Sequence, residues 1–238
     1  MSEIPFRIRP GIRRQWIRYR EQPVRPEEAR LRAGVAGAYL RPVLLDVPHE
    51  PQARVSHSVP HAVAMVLRYY DRPADPERLA YLLRTDEHYG TPGRRLAWLK
   101  GWGIHAEFPR DLQFFRDGTL ELNRRLETGS SRLVFRWEER WLRYLNGALE
   151  EGIPPILFVD LGRLYRAWRG FEQPHAVVLT GGEGRQAWIN DPGRNWGPVR
   201  VGLSTLMDAL LPGEPLAALL RPGSPGVAPR AETPEARS

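Results

Sequence analysis

Cysteine is absent from this chain of 238 residues. Disulfide bonds, thiolate metal ligands and a cysteine nucleophile are therefore excluded, although the absence says little about the compartment in which the protein works. Lysine is almost absent as well, since Lys100 is the only one. The basic residues are thus nearly all arginine, and they give the chain a formal net charge of +7.

Long apolar runs are also missing from the sequence. No stretch approaches the roughly 20 residues that cross a bilayer, and the N-terminus lacks the apolar segment of a signal peptide. We therefore expect a cytoplasmic protein without a membrane span. Hydrophobic residues make up 42% of the chain, which suffices for one sizeable core.

The distribution of proline, arginine and apolar residues predicts three regions. Residues 1–40 form an arm rich in arginine and proline, and residues 41–221 contain the apolar periodicity of a globular domain. Residues 222–238 lack large apolar side chains, so we expect this tail to be disordered. The functional residues should therefore lie in the central region.

The arginines are densest in the arm, where aromatic residues separate them. Such a cluster is typical of proteins that bind RNA or an acidic surface. Arginine scattered along a whole chain is also what a GC-rich coding sequence produces, and an arm that packs Trp16 and Ile17 on the domain explains the cluster more simply. We favour the second interpretation. The cluster comprises Arg7, Arg9, Arg13, Arg14, Arg18 and Arg20, with Trp16 and Tyr19 between them.

Helical periodicity fills the first half of the globular region. Apolar residues recur at helical spacing after Ser58, which predicts a helix that begins there. Asp75 is an N-cap signal for a second helix, and a third begins at Thr91 and ends near Gly101. A short strand over 43–47 precedes these helices.

The second half of the region changes to the pattern of strands. A helix is predicted over 137–151, ended by Gly152, and a buried strand over 155–161 follows it. Two further strands, over 174–180 and 186–190, surround the glycine-rich turn 181–184, which is a hairpin signal. A last strand is predicted over 199–201. Helices followed by antiparallel strands indicate an α+β fold.

Two polar residues flank the predicted hairpin. His175 begins its first strand and Asp191 ends its second, so antiparallel pairing should bring the two side chains together. If the helix at Ser58 packs on this sheet with its N-terminus at the same end, Ser58, His175 and Asp191 form a nucleophile, a base and an orienting carboxylate. Gln52 would then supply an amide donor to an oxyanion.

The order and spacing of short motifs along residues 43–210 resemble the C39 family of papain-like cysteine peptidases and its C39-like relatives. The resemblance implies a papain-like fold, with N-terminal helices packed on a C-terminal antiparallel sheet. It also implies that Gln52 is the oxyanion-hole residue, His175 the base and Asp191 its orienter. The matching positions are Gln52, Pro60, Ala64-Met65-Val66-Leu67, Tyr69, Tyr70, Leu149, Gly152, Pro154, His175, Val177, Val178 and Asn190-Asp191-Pro192.

The departures from the family pattern fall at the reacting position. Ser58 stands at the position of the catalytic cysteine, Val59 at that of a glycine and His61 at that of an alanine. A serine hydroxyl is far less acidic than a thiol, so a site arranged for a thiolate does not automatically suit it. We expect Ser58 to cap its helix by accepting from the His61 N–H, because Pro60 has no N–H.

The remaining candidate residues have both functional and structural interpretations. Val59, His61 and Trp196 are predicted to line the ligand-binding cleft, and Trp196 suits stacking on a ligand. His57 and His61 are four residues apart, but no third ligand accompanies them, so we predict neither a metal site nor a cofactor. Core packing explains the other tryptophans.

These observations favour a degenerate peptidase that binds a peptide or protein in the retained cleft. The alternative is an active serine acyl hydrolase or acyltransferase that uses Ser58, His175 and Asp191. A second alternative is a basic protein that binds nucleic acid or an acidic partner through the arginine cluster. The first two hypotheses differ in whether Ser58 acts as a nucleophile. The third depends on the arginine cluster of the arm instead of the cleft.

Overall fold

The computed structural model describes residues 39–86, 90–109, 134–165, 173–211 and 214–222. Helices cover both faces of a seven-stranded sheet, and a separate apolar core lies on each face. The combination of helices and an antiparallel sheet confirms the predicted α+β class. The arginine cluster of the arm and the tail after residue 222 lie outside the described residues, and the predictions for them stay predictions.

The first helical layer consists of three helical segments that follow the first strand along the chain. Helix α1 spans Ser58–Tyr69, α2 spans Pro76–Leu82, and a 3-10 helix spans Gly93–Trp102. Asp75 caps α2 by accepting the Glu77 N–H at 3.0 Å, as predicted. The third segment was expected to be an α-helix, and it forms the tighter 3-10 type. It ends at Gly103, whose φ of +70° favours glycine.

The second helical layer lies on the opposite face of the sheet. Helix α3 spans Val134–Glu150, α4 spans Leu161–Leu164 and α5 spans Leu203–Ala209. Gly152, with a φ of +72°, follows the end of α3, as its sequence position predicted. Among the residues that the structure describes, no helix is both long and apolar enough to cross a membrane.

The sheet follows the order β2-β7-β3-β4-β5-β6, and β1 also pairs with β4. Each strand pair in the described ranges is antiparallel. The strands are β1 Leu40–Leu44, β2 Ile104–Glu107, β3 Ile156–Asp160, β4 Pro174–Gly184, β5 Gln186–Asn190, β6 Val199–Gly202 and β7 Ala217–Pro222. Strands β2 and β7 and helices α4 and α5 were not predicted from the sequence.

The hairpin of β4 and β5 is tighter than the sequence suggested. Gly181 and Gly182 lie inside β4, and the turn is made at Gly184, whose φ is +59°. A Cβ atom on Gly181 would overlap the Val43 backbone oxygen, because β1 pairs closely with β4 here. The two glycines therefore admit β1 beside the hairpin. The predicted strand over 43–47 is correspondingly shifted to Leu40–Leu44.

Asn146 of α3 holds the start of β1. Its side-chain amide donates to the Tyr39 carbonyl at 3.0 Å, and its side-chain oxygen accepts the Arg41 N–H at 2.9 Å. Arg41 also forms an ion pair with Glu150 on the same helix. The donor and the acceptor of the Asn146 side chain therefore both hold the backbone at the start of β1.

Candidate functional site

The centre of the site is a buried pair formed by His175 and Asp191. His175 Nε2 lies 2.6 Å from Asp191 Oδ1, and the two side chains are only 2% and 1% exposed. His175 is the second residue of β4, and Asp191 follows the last residue of β5. The hairpin therefore brings together the two residues that the sequence placed at its open end.

Asp191 is surrounded by donors. Tyr165, just after α4, donates its hydroxyl hydrogen to Asp191 Oδ2 at 2.5 Å, and the Gly193 N–H donates to Oδ1 at 2.7 Å. Burial by itself raises the pKa of the Asp191 carboxyl, but the hydrogen bond and charge of His175, with those two donors, outweigh it and lower the pKa. Asp191 is therefore held as a carboxylate in a nearly dry environment.

Arg194 covers the same network from the loop after β5. Its Nε lies 4.0 Å from Asp191 Oδ2, and its guanidinium stacks over the Tyr165 ring at 4.3 Å and lies 6.0 Å from the Trp196 ring. Burial and the Asp191 charge raise the pKa of the Tyr165 hydroxyl well above its usual range. Tyr165 is thus held as a hydrogen-bond donor to Asp191.

Ser58 lies beside this network, and its hydroxyl has another partner. Ser58 Oγ accepts the Ala176 N–H at 3.2 Å. Helix α1 is capped by residue 57 without a side-chain hydrogen bond. The expected capping role is therefore wrong in its donor, because Ser58 accepts from strand β4 instead of from His61.

The position of the Ala176 N–H explains this hydrogen bond. Leu179 N donates to the Pro155 carbonyl, so antiparallel alternation turns the Ala176 N–H away from β3 and toward β5. Strand β5 ends at Asn190, opposite Val178, and the Pro192 carbonyl beyond it accepts the Gln52 N–H at 2.7 Å. Ser58 Oγ therefore takes the place of the missing strand partner.

The faces of β4 separate Ser58 from the imidazole of His175. Val177, which shares the His175 face by strand alternation, packs in the core beneath α3, whereas Ala176 packs in the core beneath α1. Ser58 and His175 can therefore meet only around the open edge of β4. Across the described ranges, no hydrogen bond joins the two side chains.

Removal of the Ser58 hydroxyl should cost stability. Ser58→Ala leaves the buried Ala176 N–H without a partner, and we expect a loss of about 1 to 3 kcal/mol in the free energy of unfolding. Urea denaturation measures the loss. Ser56→Ala, at a half-buried serine two residues earlier, is the matched control and should change stability by less than about 0.5 kcal/mol. Equal stability of the two variants would contradict the structural role of the hydroxyl.

Gln52 lies on the segment that connects β1 to α1. Its side-chain amide donates to the Val55 carbonyl at 3.2 Å, and its Oε1 is buried without a partner among the described residues. Two further bonds hold this segment: Asn190 Nδ2 donates to the Val47 carbonyl at 2.8 Å, and His49 Nε2 lies 3.0 Å from the Asp191 carbonyl. The amide predicted to serve an oxyanion is thus used within its own loop.

The three residues predicted to line the cleft differ in exposure. Val59 and His61 are each 4% exposed and lie on α1, where Val59 packs in the core beneath that helix. Trp196 is 62% exposed and follows Arg194 on the loop after β5. Of the three, Trp196 has the surface that a ligand could contact.

His57 and His61 lie next to Ser58, and His57 contacts two carboxylates. His57 is fully buried, with Nε2 3.0 Å from Asp86 Oδ1 and Nδ1 3.5 Å from Glu77 Oε1. The His57 hydrogen bond lowers the pKa of Asp86. Within the described ranges, no group of three or more histidine and acidic side chains could hold a metal ion. The contacts of His57 with Glu77 and Asp86 therefore join the entrance of α1 to α2 and to the residues after it.

The stability of the domain should fall in acid because of His61. Burial, and then the nearby charge of His57, lower the pKa of His61 to about 4. The unfolded chain therefore takes up this proton first, and stability is lost as pH falls from about 6.5 toward 4, by about 2 to 3 kcal/mol. His61→Leu should remove this part of the pH dependence of urea denaturation. His105→Leu, at an exposed position on β2, should leave it unchanged, and an equal slope in both variants would contradict the assignment.

Several residues of the network were not predicted from the sequence. Tyr165, Gly193 and Arg194 contact Asp191, and the backbone of Ala176 contacts Ser58. The turn Asp191-Pro192-Gly193 carries a local signal, because an aspartate side chain commonly accepts the N–H two residues later. No comparable local pattern marks Tyr165.

Comparison with known proteins gives similarity of structure only. The sequence matches no protein-family model and no curated protein. A putative C39-like peptidase from Bacillus anthracis is similar over 76% of this chain and 97% of its own, with 14% identity and a TM-score of 0.50. This likeness confirms the predicted papain-like fold of the C39-like type.

Two further solved structures are similar over comparable lengths. The peptidase domain of Streptococcus ComA, a bifunctional ABC transporter involved in quorum sensing, is matched over 74% of this chain and 98% of its own, with 17% identity and a TM-score of 0.48. A double-glycine-motif protease of an AMS/PCAT transporter, solved with its leader peptide, is matched over 77% and 99%, with 17% identity and a TM-score of 0.46.

Proposed function

Starting from a papain-like fold of the C39-like type, we propose that this protein binds a peptide or protein beside Ser58 and His175 and does not hydrolyse it. The observation that carries the proposal is the hydrogen bond from the Ala176 N–H to Ser58 Oγ. A serine nucleophile must pass its proton to a base during attack. In the described part of the chain the Ser58 hydroxyl is hydrogen-bonded to the backbone of β4 and has no hydrogen bond to His175.

Other features support binding without chemistry. The Gln52 amide is hydrogen-bonded to Val55, so an oxyanion at Ser58 would have to compete for it. Ser58 itself is only 5% exposed, whereas Trp196 is 62% exposed. A ligand beside the His175 network would therefore contact an open aromatic surface before it reached the hydroxyl.

Selection of ligands from a phage-displayed peptide library tests binding. Selected peptides should bind the wild-type protein in calorimetry and bind about five- to thirtyfold more weakly to Trp196→Ala, because truncation of an exposed aromatic anchor costs about 1 to 2 kcal/mol. Leu44→Ala is the control, since Leu44 is equally exposed at 62% but lies on β1. The absence of any peptide whose affinity depends on Trp196 would reject the proposal.

The active serine hydrolase is the second candidate, because the close pairing of His175 with Asp191 is what a general base requires. A fluorophosphonate probe separates the two functions. We expect the probe to label Ser58 of the wild-type protein no more than it labels Ser58 of the variant His175→Ala. Labelling of the wild-type protein that is lost in Ser58→Ala would replace the binding function with hydrolysis or acyl transfer.

A further inference from the structure

A second surface, formed by α2 and the 3-10 helix, combines arginine with exposed aromatic rings. Tyr81 is 83% exposed and Trp98 is 51% exposed, which makes them two of the most exposed large hydrophobic residues in the described ranges. We call this surface the arginine–tryptophan face. It comprises Arg78, Tyr81, Arg84, Arg95, Trp98 and Trp102.

Stacking holds the arginines of this face in place. The Arg95 guanidinium lies 5.0 Å and that of Arg84 6.0 Å from the Trp98 ring centre, and Arg78 lies 4.8 Å from the Trp102 ring. Arg95 Nη1 also donates to the carbonyls of Leu83, at 2.9 Å, and Arg84, at 3.0 Å. These contacts restrict the long side chains before any partner arrives, which reduces the entropy that binding must overcome.

The region around the arginine–tryptophan face is positively charged, and two nearby carboxylates are directed toward His57. Glu77 and Asp86 are turned to His57, at 3.5 Å and 3.0 Å, and Asp86 also contacts Arg54. The 3-10 helix itself carries Arg94, Arg95 and Lys100 and no acidic residue. Lys100, the single lysine of the chain, is exposed here.

We infer that the arginine–tryptophan face binds an acidic segment of a partner protein. A guanidinium that stacks on a ring, as Arg78 does on Trp102, holds its N–H groups in the planar geometry that binds the two oxygens of a carboxylate. Tryptophan, tyrosine and arginine are also the residues that dominate the binding energy of protein interfaces. Because guanidinium groups already lie over Trp98, its ring offers less free face to a nucleic-acid base than a bare stacking platform would.

This surface and its partner are separate from the proposed peptide site. No residue of the arginine–tryptophan face belongs to the network of Ser58, His175 and Asp191. Loss of acidic-partner binding would therefore leave the peptide test at Trp196 unaffected, and the failure of either proposal can be told from the failure of the other.

Fluorescence anisotropy with a labelled, glutamate-rich peptide that has one central phenylalanine tests the inference on the full-length protein. Trp98→Ala keeps every charge but removes the ring on which Arg84 and Arg95 stack, and we expect it to weaken binding about tenfold. Trp98→Phe should restore binding to within about threefold of the wild type. Arg143→Ala removes an exposed arginine of α3 and should leave the affinity unchanged. Thermal unfolding of each variant verifies that it is folded.

The outcomes separate the possible sources of affinity. Wild-type affinity in Trp98→Ala would overturn the inference, because the peptide would then be held elsewhere, as by the arginines of the arm. A single-stranded oligothymidine that binds more tightly than the peptide and depends on Trp98 would also overturn it and assign the face to nucleic acid. Weakening in Arg143→Ala equal to that in Trp98→Ala would mean that the affinity does not depend on this face in particular, and it would reject the site.

Discussion

The variant Ser58→Cys is expected to react with iodoacetamide at pH 6 more than about tenfold faster than the double variant Ser58→Cys/His175→Ala. An ordinary thiol has a pKa of about 8.5 and is almost entirely protonated at that pH. Position 58 is the first residue of α1, where the helix dipole favours an anion in both proteins. The expected difference between them comes from His175, whose imidazole can meet residue 58 only around the open edge of β4, beside the Ala176 N–H. A fall of about two units in the thiol pKa would raise the thiolate fraction by about a hundredfold, and the weaker nucleophilicity of the more acidic thiol offsets part of this gain.

The absence of cysteine from the chain makes this measurement unusually clean. Residue 58 carries the single thiol of both variants, so peptide mass spectrometry counts its label directly. The double variant with His175→Ala is the control for access, because burial of the thiol slows both proteins alike. Equal rates would mean that His175 does not act on this position, and the histidine would then be a structural residue alone.

The largest effect on stability is expected for Asp191→Ala. This change leaves His175, Tyr165 and the Gly193 N–H without their shared acceptor in a buried position. Breaking a buried polar network by removing one partner costs about 3 to 5 kcal/mol, and we expect a loss in that range in urea denaturation. Tyr165→Phe removes only one donor and should cost about 1 to 2 kcal/mol.

The pH dependence of Asp191→Ala offers an independent check. The folded-state pKa of Asp191 lies below its ordinary value of 3.8, so its contribution is present above that value and is lost as pH falls through the lower, folded pKa. The difference in stability between the wild type and Asp191→Ala should therefore shrink in strong acid. A difference that stays constant down to the acid transition would contradict the ionised state assigned to Asp191.

The parts of the site that the sequence predicted are those set by local rules. The glycine-rich segment predicted a hairpin, and the hairpin placed His175 near Asp191, because residues at the open end of two paired strands must be neighbours. The start of α1 at Ser58 followed from apolar periodicity and a proline in the first turn. These relations need only a few neighbouring residues.

The parts that the sequence did not predict depend on distant segments. Tyr165 reaches Asp191 across 26 residues, and the Ala176 N–H reaches Ser58 across 118. Strands β2 and β7 pair with each other although more than 100 residues separate Ile104 from Pro222. Short strands of this kind carry little periodicity of their own, and their partner supplies the context that identifies them.

Three hydrogen bonds join the segment between β1 and α1 to the end of β5 and the loop after it. They involve Asn190 with Val47, His49 with the Asp191 carbonyl, and Gln52 with Pro192. Because the partners of these bonds follow one another in the same order along both segments, one bond cannot open far without the others. The two segments should therefore exchange their amide hydrogens with deuterium as one cooperative unit. The connection between β1 and α1 should then separate from the loop after β5 in a single step.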